Sequence, residues 1–174
     1  MATQQLESKW EGKSIVNLKH PKAEQVWPLL EDFFNFHKWL PNIDTCHQID
    51  SDNKDEIIRY CASTTPPSSG DGEAIIKWCH EKLLTIDKIE RYISYEVLNN
   101  NIGIKYYVST LKVLSLDGDD EGGCQIEWLF VADPIDGLTL ELFSGYVNSS
   151  LQGMAENIEK ALESSKLGDF VCSN

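Results

Sequence analysis

"DGLTLELFSGYVNSSLQGMAENIEKALESS", residues 136–165, decides the architecture. Phe143, Val147, Leu151, Met154, Ile158 and Leu162 recur at spacings of four, four, three, four and four, which is one stripe of a long amphipathic helix. Asp136, near its start, is placed to favour the helix dipole. A long helix with a continuous apolar stripe must bury that stripe. What precedes it in the chain decides against what.

Upstream lie strand-like pieces. "WEGKSIVNLK" (10–19) alternates weakly on Trp10, Val16 and Leu18. After it, "HPKAEQVWPLLEDFFNFHKWLP" (20–41) is helical in pattern, with Pro21 suited to a first helical position and Pro28 removing a hydrogen bond inside. The expectation there is a kink or two short helices, the second around residues 33–39. Six further strands are expected over 44–50, 55–63, 73–87, 91–98, 104–116 and 124–133, separated by turn-rich segments such as "SDNKD", "NNNIG" and "DGDDEGG". Short connections imply an antiparallel meander. The fold class is therefore α+β: a curved seven-stranded antiparallel sheet gripping the C-terminal helix. It is expected as a single domain over 1–174, with its core at about 10–163. A curved sheet around a long helix encloses space, which makes this a cavity protein.

Composition narrows the function. Across 174 residues the formal net charge is −13, which argues against nucleic acid or an anionic membrane as partner. No run approaches a membrane span, and "MATQQLESKWEGK" has no signal-peptide shape, so a cytoplasmic location is expected. The cysteines, at 46, 61, 79, 124 and 172, then read as reduced thiols. The pairs Cys46-His47 and Cys79-His80 point to opposite strand faces and make poor metal chelates, so no metal site is expected.

"DEIIRYCAST" (55–64) sets a charge, Arg59, inside a strand of apolar neighbours. Strand parity groups Arg59 with Cys61, Cys79 with Glu81, and Tyr107 with Ser109. If these sets face the helix, a charge pair and a phenol line an apolar cavity. The plain alternative is that Arg59 and Glu81 face water. Cys61, Cys79, Trp128 and Phe130 from the sheet, with Phe143, Val147 and Leu151 from the helix, are the candidate ligand-binding residues. Cys61, Cys79 and Cys124 read first as buried hydrophobes rather than nucleophiles. The loop "STTPPSSGDG" (63–72) reads equally as a lid or as a plain surface loop.

The order of elements resembles the START-like helix-grip fold of the plant pollen-allergen and abscisic-acid-receptor proteins. From about Trp10 to Ala161 the chain more closely resembles the plant lachrymatory factor synthase family. The resemblance is carried by "KWEGK", "EQVWPLLEDFFNFHKWLP", "RYC", "HEKL" followed by "ID", "YYVSTLKV", and "WLF" followed by "IDGLT". It implies cofactor-free isomerisation of an alkenyl sulfenic acid to a thial S-oxide by an Arg–Glu–Tyr set. The Arg before Tyr is Arg59, the Glu before Lys-Leu is Glu81, and the Tyr before the Thr-Leu-Lys stretch is Tyr107. In that chemistry Arg59 would hold the S–O oxygen, Glu81 would carry the proton and Tyr107 would orient the substrate. Non-catalytic binding or transport of a lipid, hormone or specialised metabolite is the other reading. The hormone receptors' gate and latch motifs have no counterpart in "STTPPSSGDG" or Ile102-Gly103-Ile104, which disfavours phosphatase docking.

Overall fold

The computed structural model describes residues 8–116 and 122–171. Its elements are β1 (Trp10–Leu18), α1 (Ala23–Leu30), a 3-10 turn (Phe36–Lys38), β2 (Thr45–Ile49), β3 (Ile58–Thr65), β4 (Ile75–Asp87), β5 (Tyr92–Asn100), β6 (Tyr107–Ser115), β7 (Cys124–Ala132) and α2 (Leu140–Val171). The strands form one antiparallel sheet in the order β1-β7-β6-β5-β4-β3-β2. The two edges are consecutive in sequence, and α1 with the 3-10 turn carries the chain from one to the other. This is the α+β helix-grip architecture expected from the periodicities.

Burial follows strand parity. Tyr107, Ser109, Leu111 and Val113 on β6, and Cys124, Ile126, Trp128, Phe130 and Ala132 on β7, all face inward and are buried. The α2 stripe lies against this face. Val147, Leu151, Met154 and Ile158 are buried, and Phe143 nearly so. Each such side chain contributes about 1.5–3 kcal/mol over leaving it exposed, so the helix is fixed by packing rather than by propensity. Gly153 admits Pro41 to the helix surface, where a Cβ would stand 2.7 Å from the Pro41 Cγ. Asn157 Nδ2 donates to the Trp39 carbonyl at 2.9 Å beside it. Together these tie the segment after α1 to the helix.

Several boundaries differ from the expectation. Pro21 precedes the helix, which begins at Ala23 with the Lys22 N–H donating to Gln25 Oε1 at 3.0 Å. Pro28 lies inside α1, and α1 ends two residues later, leaving the 3-10 turn as the second short piece. Asp136 does not cap α2. The chain first turns at Gly137 (φ 81), and Thr139 Oγ1 accepts from the Leu142 N–H at 3.2 Å. Most of the "DGDDEGG" turn and Cys172 lie outside the described residues.

Candidate functional site

Residue 81 faces inward because the β3–β4 register runs unbroken from Ile58↔Lys82 to Thr65↔Ile75. The β4–β5 ladder slips between Cys79 and Glu81 and again between Leu83 and Thr85. Such irregularities twist a sheet without altering the pairing on its other side. Arg59 therefore lies directly across from Glu81, and Cys61 across from Cys79.

Arg59 is 1% exposed. Its Nε donates to Glu81 Oε2 at 2.7 Å and its Nη2 stands 2.5 Å from the same oxygen. Its Nη1 donates to the Phe33 carbonyl at 2.7 Å. The guanidinium lies 4.0 Å from the ring centroids of both Phe33 and Phe36, and 4.7 Å from that of Tyr95. Burial alone would weaken its hold on its proton; the Glu81 charge, together with Cys61, Tyr95 and Cys46, more than offsets this. The arrangement is an aromatic cage around one cation.

Both Arg59 contacts converge on one carboxylate oxygen. Among the described residues, Glu81 Oε1 is met by the weak Cys79 Sγ–H donor alone, at 3.7 Å. Glu81 lines the inner part of a cavity, and Oε1 is its oxygen without a strong donor. Arg59 is thus spent on Glu81 and Phe33, not held out for a ligand oxygen as the sequence reading had it.

The inner compartment has a volume of about 130 Å³ and is lined by Arg59, Glu81, Tyr95, Tyr107, Trp128 and Ser150 among others. An outer compartment of about 540 Å³ shares Asn42, Ile43, Cys61, Cys79, Phe143 and Tyr146 with it, and reaches the surface at Leu138 and Leu142. Burial holds the Tyr107 phenol above the ordinary tyrosine range, only partly countered by Ser109 and Trp128. It remains a neutral donor. Trp128 Nε1 donates to Ser109 Oγ at 2.7 Å and to Tyr107 Oη at 3.3 Å. Burial, then the Glu81 charge, also raises Tyr95.

Of the candidate residues, Arg59, Glu81, Tyr107, Cys61, Cys79, Trp128 and Phe143 all reach the cavity wall. Phe130, Val147 and Leu151 do not line it. Phe130 stacks on Tyr107 and meets Phe143 edge-on, while Val147 and Leu151 are enclosed in the core. The "STTPPSSGDG" loop reaches the outer compartment only through Ser63 and Thr65. Ile102 and Ile104, the turn at Asn42-Ile43, and Leu142 and Phe143 at the start of α2 also line this compartment. Sequence reading missed Tyr95, although its strand neighbours Glu81 and its parity with Ile93 and Val97 marks it as inward. It also missed Ser150, whose buried hydroxyl finds no protein hydrogen-bond partner among the described residues. Among the described residues no group of three His, Cys, Asp or Glu side chains is placed to hold a metal ion. No helix there is long and apolar enough to cross a membrane.

Residues 20–163 match the polyketide cyclase / dehydrase and lipid transport family, and the chain belongs to it. Two solved structures share the fold. One is the protein XoxI of Bacillus cereus, with TM-score 0.64 and 20% identity over 87% of this chain and 94% of that one. The other is an uncharacterised protein of Bacillus thuringiensis, with TM-score 0.64 and 21% identity over 85% and 98%. At such identity the likeness concerns the fold alone. The family and the cavity together make this a ligand-binding cavity protein.

Proposed function

We propose that the cavity binds a small, mostly apolar molecule and that Glu81 moves a proton on it, in a cofactor-free isomerisation of the lachrymatory factor synthase type. The observation that carries this reading is the division of labour within the Glu81 carboxylate. Arg59 grips Oε2, which fixes the group, while Oε1 is left without a strong donor on a residue that lines the cavity. An alkenyl sulfenic acid entering the inner compartment would lose its O–H proton to Oε1. The electron pair shifts through sulfur and the double bond, and the same proton returns to the vinylic carbon distant from sulfur. The product is a thial S-oxide, with no net change in protons or electrons. Tyr107, held neutral, supplies a hydrogen bond to the S–O oxygen as it gains charge. Ser150 Oγ is a second polar atom within reach of the compartment.

The test couples the protein to alliinase and an alkenyl-cysteine sulfoxide, with gas chromatography for the thial S-oxide. Product above that of a Glu81→Gln control supports the reading; product equal to the control sinks it. One observation favours a second reading, non-catalytic binding of a longer lipid or metabolite: the outer compartment is several times larger than the inner and opens on exposed apolar side chains. A co-purifying ligand found by native mass spectrometry, with no turnover, would support that reading.

A further inference from the structure

Three of the chain's cysteines form a row. Cys46 on β2 lies directly across from Cys61 on β3, which lies directly across from Cys79 on β4. The row sits on the inner face, one inward position from the Arg59–Glu81 pair. Cys46 Sγ and Cys61 Sγ are 3.6 Å apart, and both thiols are free. Residues directly opposed across antiparallel strands have Cα atoms about 4.5–5.5 Å apart, within the range of about 4.4–6.8 Å that a disulfide spans. The two sulfurs already stand near each other, and Cys61 lines both compartments, so a small solute entering the cavity meets Cys61 with Cys46 directly behind it.

We propose that Cys46 and Cys61 are a redox-active dithiol, oxidised to a reversible cross-strand disulfide by hydrogen peroxide admitted to the cavity. The surroundings favour the chemistry. A hydrogen bond from Cys61, and then the Arg59 charge working against burial, lower the Cys46 thiol to about 6, while the shared proton and burial raise Cys61. Cys61 thus donates toward Cys46 near a fixed cation, an arrangement that favours the thiolate that peroxide requires. In the first step an S–O bond forms, the O–O bond breaks and hydroxide leaves. In the second the other sulfur attacks this sulfenic sulfur, an S–S bond forms, the S–O bond breaks and a second hydroxide leaves. With the two thiol protons the sum is two thiols and one peroxide giving one disulfide and two waters.

Cys79 is the competing partner for Cys61. Its thiol is directed at Glu81 Oε1, and burial and the Glu81 charge raise its pKa, so it is the poorer nucleophile. Oxidation would reach the neighbouring ion pair. The Cys61 S–H, 3.8 Å from Glu81 Oε2, would be lost, and with it a weak donor to the carboxylate.

The experiment reduces the full chain, exposes it to hydrogen peroxide, blocks remaining thiols with N-ethylmaleimide and maps the linkages by peptide mass spectrometry. The expected result is a peptide pair joining Cys46 to Cys61, lighter by two hydrogens and released by dithiothreitol. A Cys61–Cys79 link, over-oxidation of one cysteine without a link, or no link at all would overturn the proposal. Cys79→Ser should retain the Cys46–Cys61 link and Cys46→Ser should lose it. The wild-type map decides the matter even if either variant folds poorly.

Discussion

Residues 81 and 82 on β4 each make a cross-strand ion pair, on opposite faces of one sheet. Glu81 meets Arg59 of β3 on the concave face, with side chains 12% and 2% exposed. Lys82 meets Glu96 of β5 on the convex face at 2.7 Å, with side chains 25% and 27% exposed. The chemistry of the two pairs is nearly the same, and so is the local backbone. What differs is the medium. On the convex side water and salt do most of the solvation. On the concave side three aromatic rings and a backbone carbonyl replace water, and each charge depends on the other. The difference teaches that residue type does not make a site here. A desolvated pair whose carboxylate keeps one oxygen uncommitted does.

The sharpest way to break the comparison is to remove one inner partner. Glu81→Leu leaves the Arg59 guanidinium buried among Phe33, Phe36 and Tyr95 without its anion. Breaking a buried pair in this way costs about 3–5 kcal/mol, so the chemical denaturation midpoint should fall far below the parent's. A midpoint within experimental error would mean that Arg59 is not committed to Glu81 as described. Glu81→Gln keeps an acceptor for Arg59 and should cost less stability while still removing the carboxylate proposed as the base.

Removing both partners together sharpens it. Replacing a buried ion pair by apolar residues of similar size is often neutral, or stabilising by about 1–4 kcal/mol. Arg59→Met with Glu81→Leu should therefore recover most of the stability lost in the single variant, yet show no turnover in the coupled alliinase assay. If the double variant is no more stable than Glu81→Leu alone, the pair serves the fold and its functional reading weakens.

How far the sequence disclosed this is best seen at particular residues. The α2 stripe and the strand patterns placed the helix and the sheet, because apolar periodicity is a direct imprint of burial, while on β3, β4 and β6 parity grouped residues by face without saying which face turned inward. Arg59, Glu81 and Tyr107 could be grouped by that parity, and it was the uninterrupted β3–β4 register that set Arg59 across from Glu81. The direction of each contact was not legible. Nothing in "RYC" says that Arg59 would turn both contacting nitrogens to one oxygen of Glu81, or that Phe33 would offer its carbonyl as well as its ring. These depend on how the segment after α1 folds back, which Pro28 and the Gly153–Pro41 approach settle in three dimensions. The same limit misplaced Val147 and Leu151. A stripe shows which side of a helix is covered, but not where along it the core ends and the cavity begins.

Tyrosine ionisation probes the desolvation of the concave face without altering its sequence. Burial raises both Tyr95 and Tyr107, so neither should ionise in the ordinary range near pH 10. In an absorbance titration at alkaline pH the step of the folded protein should fall short of that of the denatured chain. The sign follows from the raised folded values. Their contribution to stability is full below the unfolded tyrosine pKa and is lost as pH rises through and beyond it. Stability should therefore decline above about pH 10, and Tyr107→Phe should decline less steeply. A full-sized step at the ordinary pH in native protein would show that water reaches both phenols.

The smallest effect belongs to the convex pair. Lys82 has Glu56 3.7 Å away as well as Glu96, and both carboxylates favour its charged form, the Glu96 hydrogen bond most of all. Yet exposed pairs contribute little, because holding two long side chains in one geometry offsets most of the Coulombic gain and ordinary salt screens the rest. Lys82→Met should leave the denaturation midpoint within error of the parent at physiological ionic strength, and the coupled assay unchanged. Raising the salt should move parent and variant together. A large loss in Lys82→Met would mean that the convex pair is as dependent on its partner as the concave one. The distinction drawn from burial would then fail at the one position on β4 where the two can be compared residue by residue.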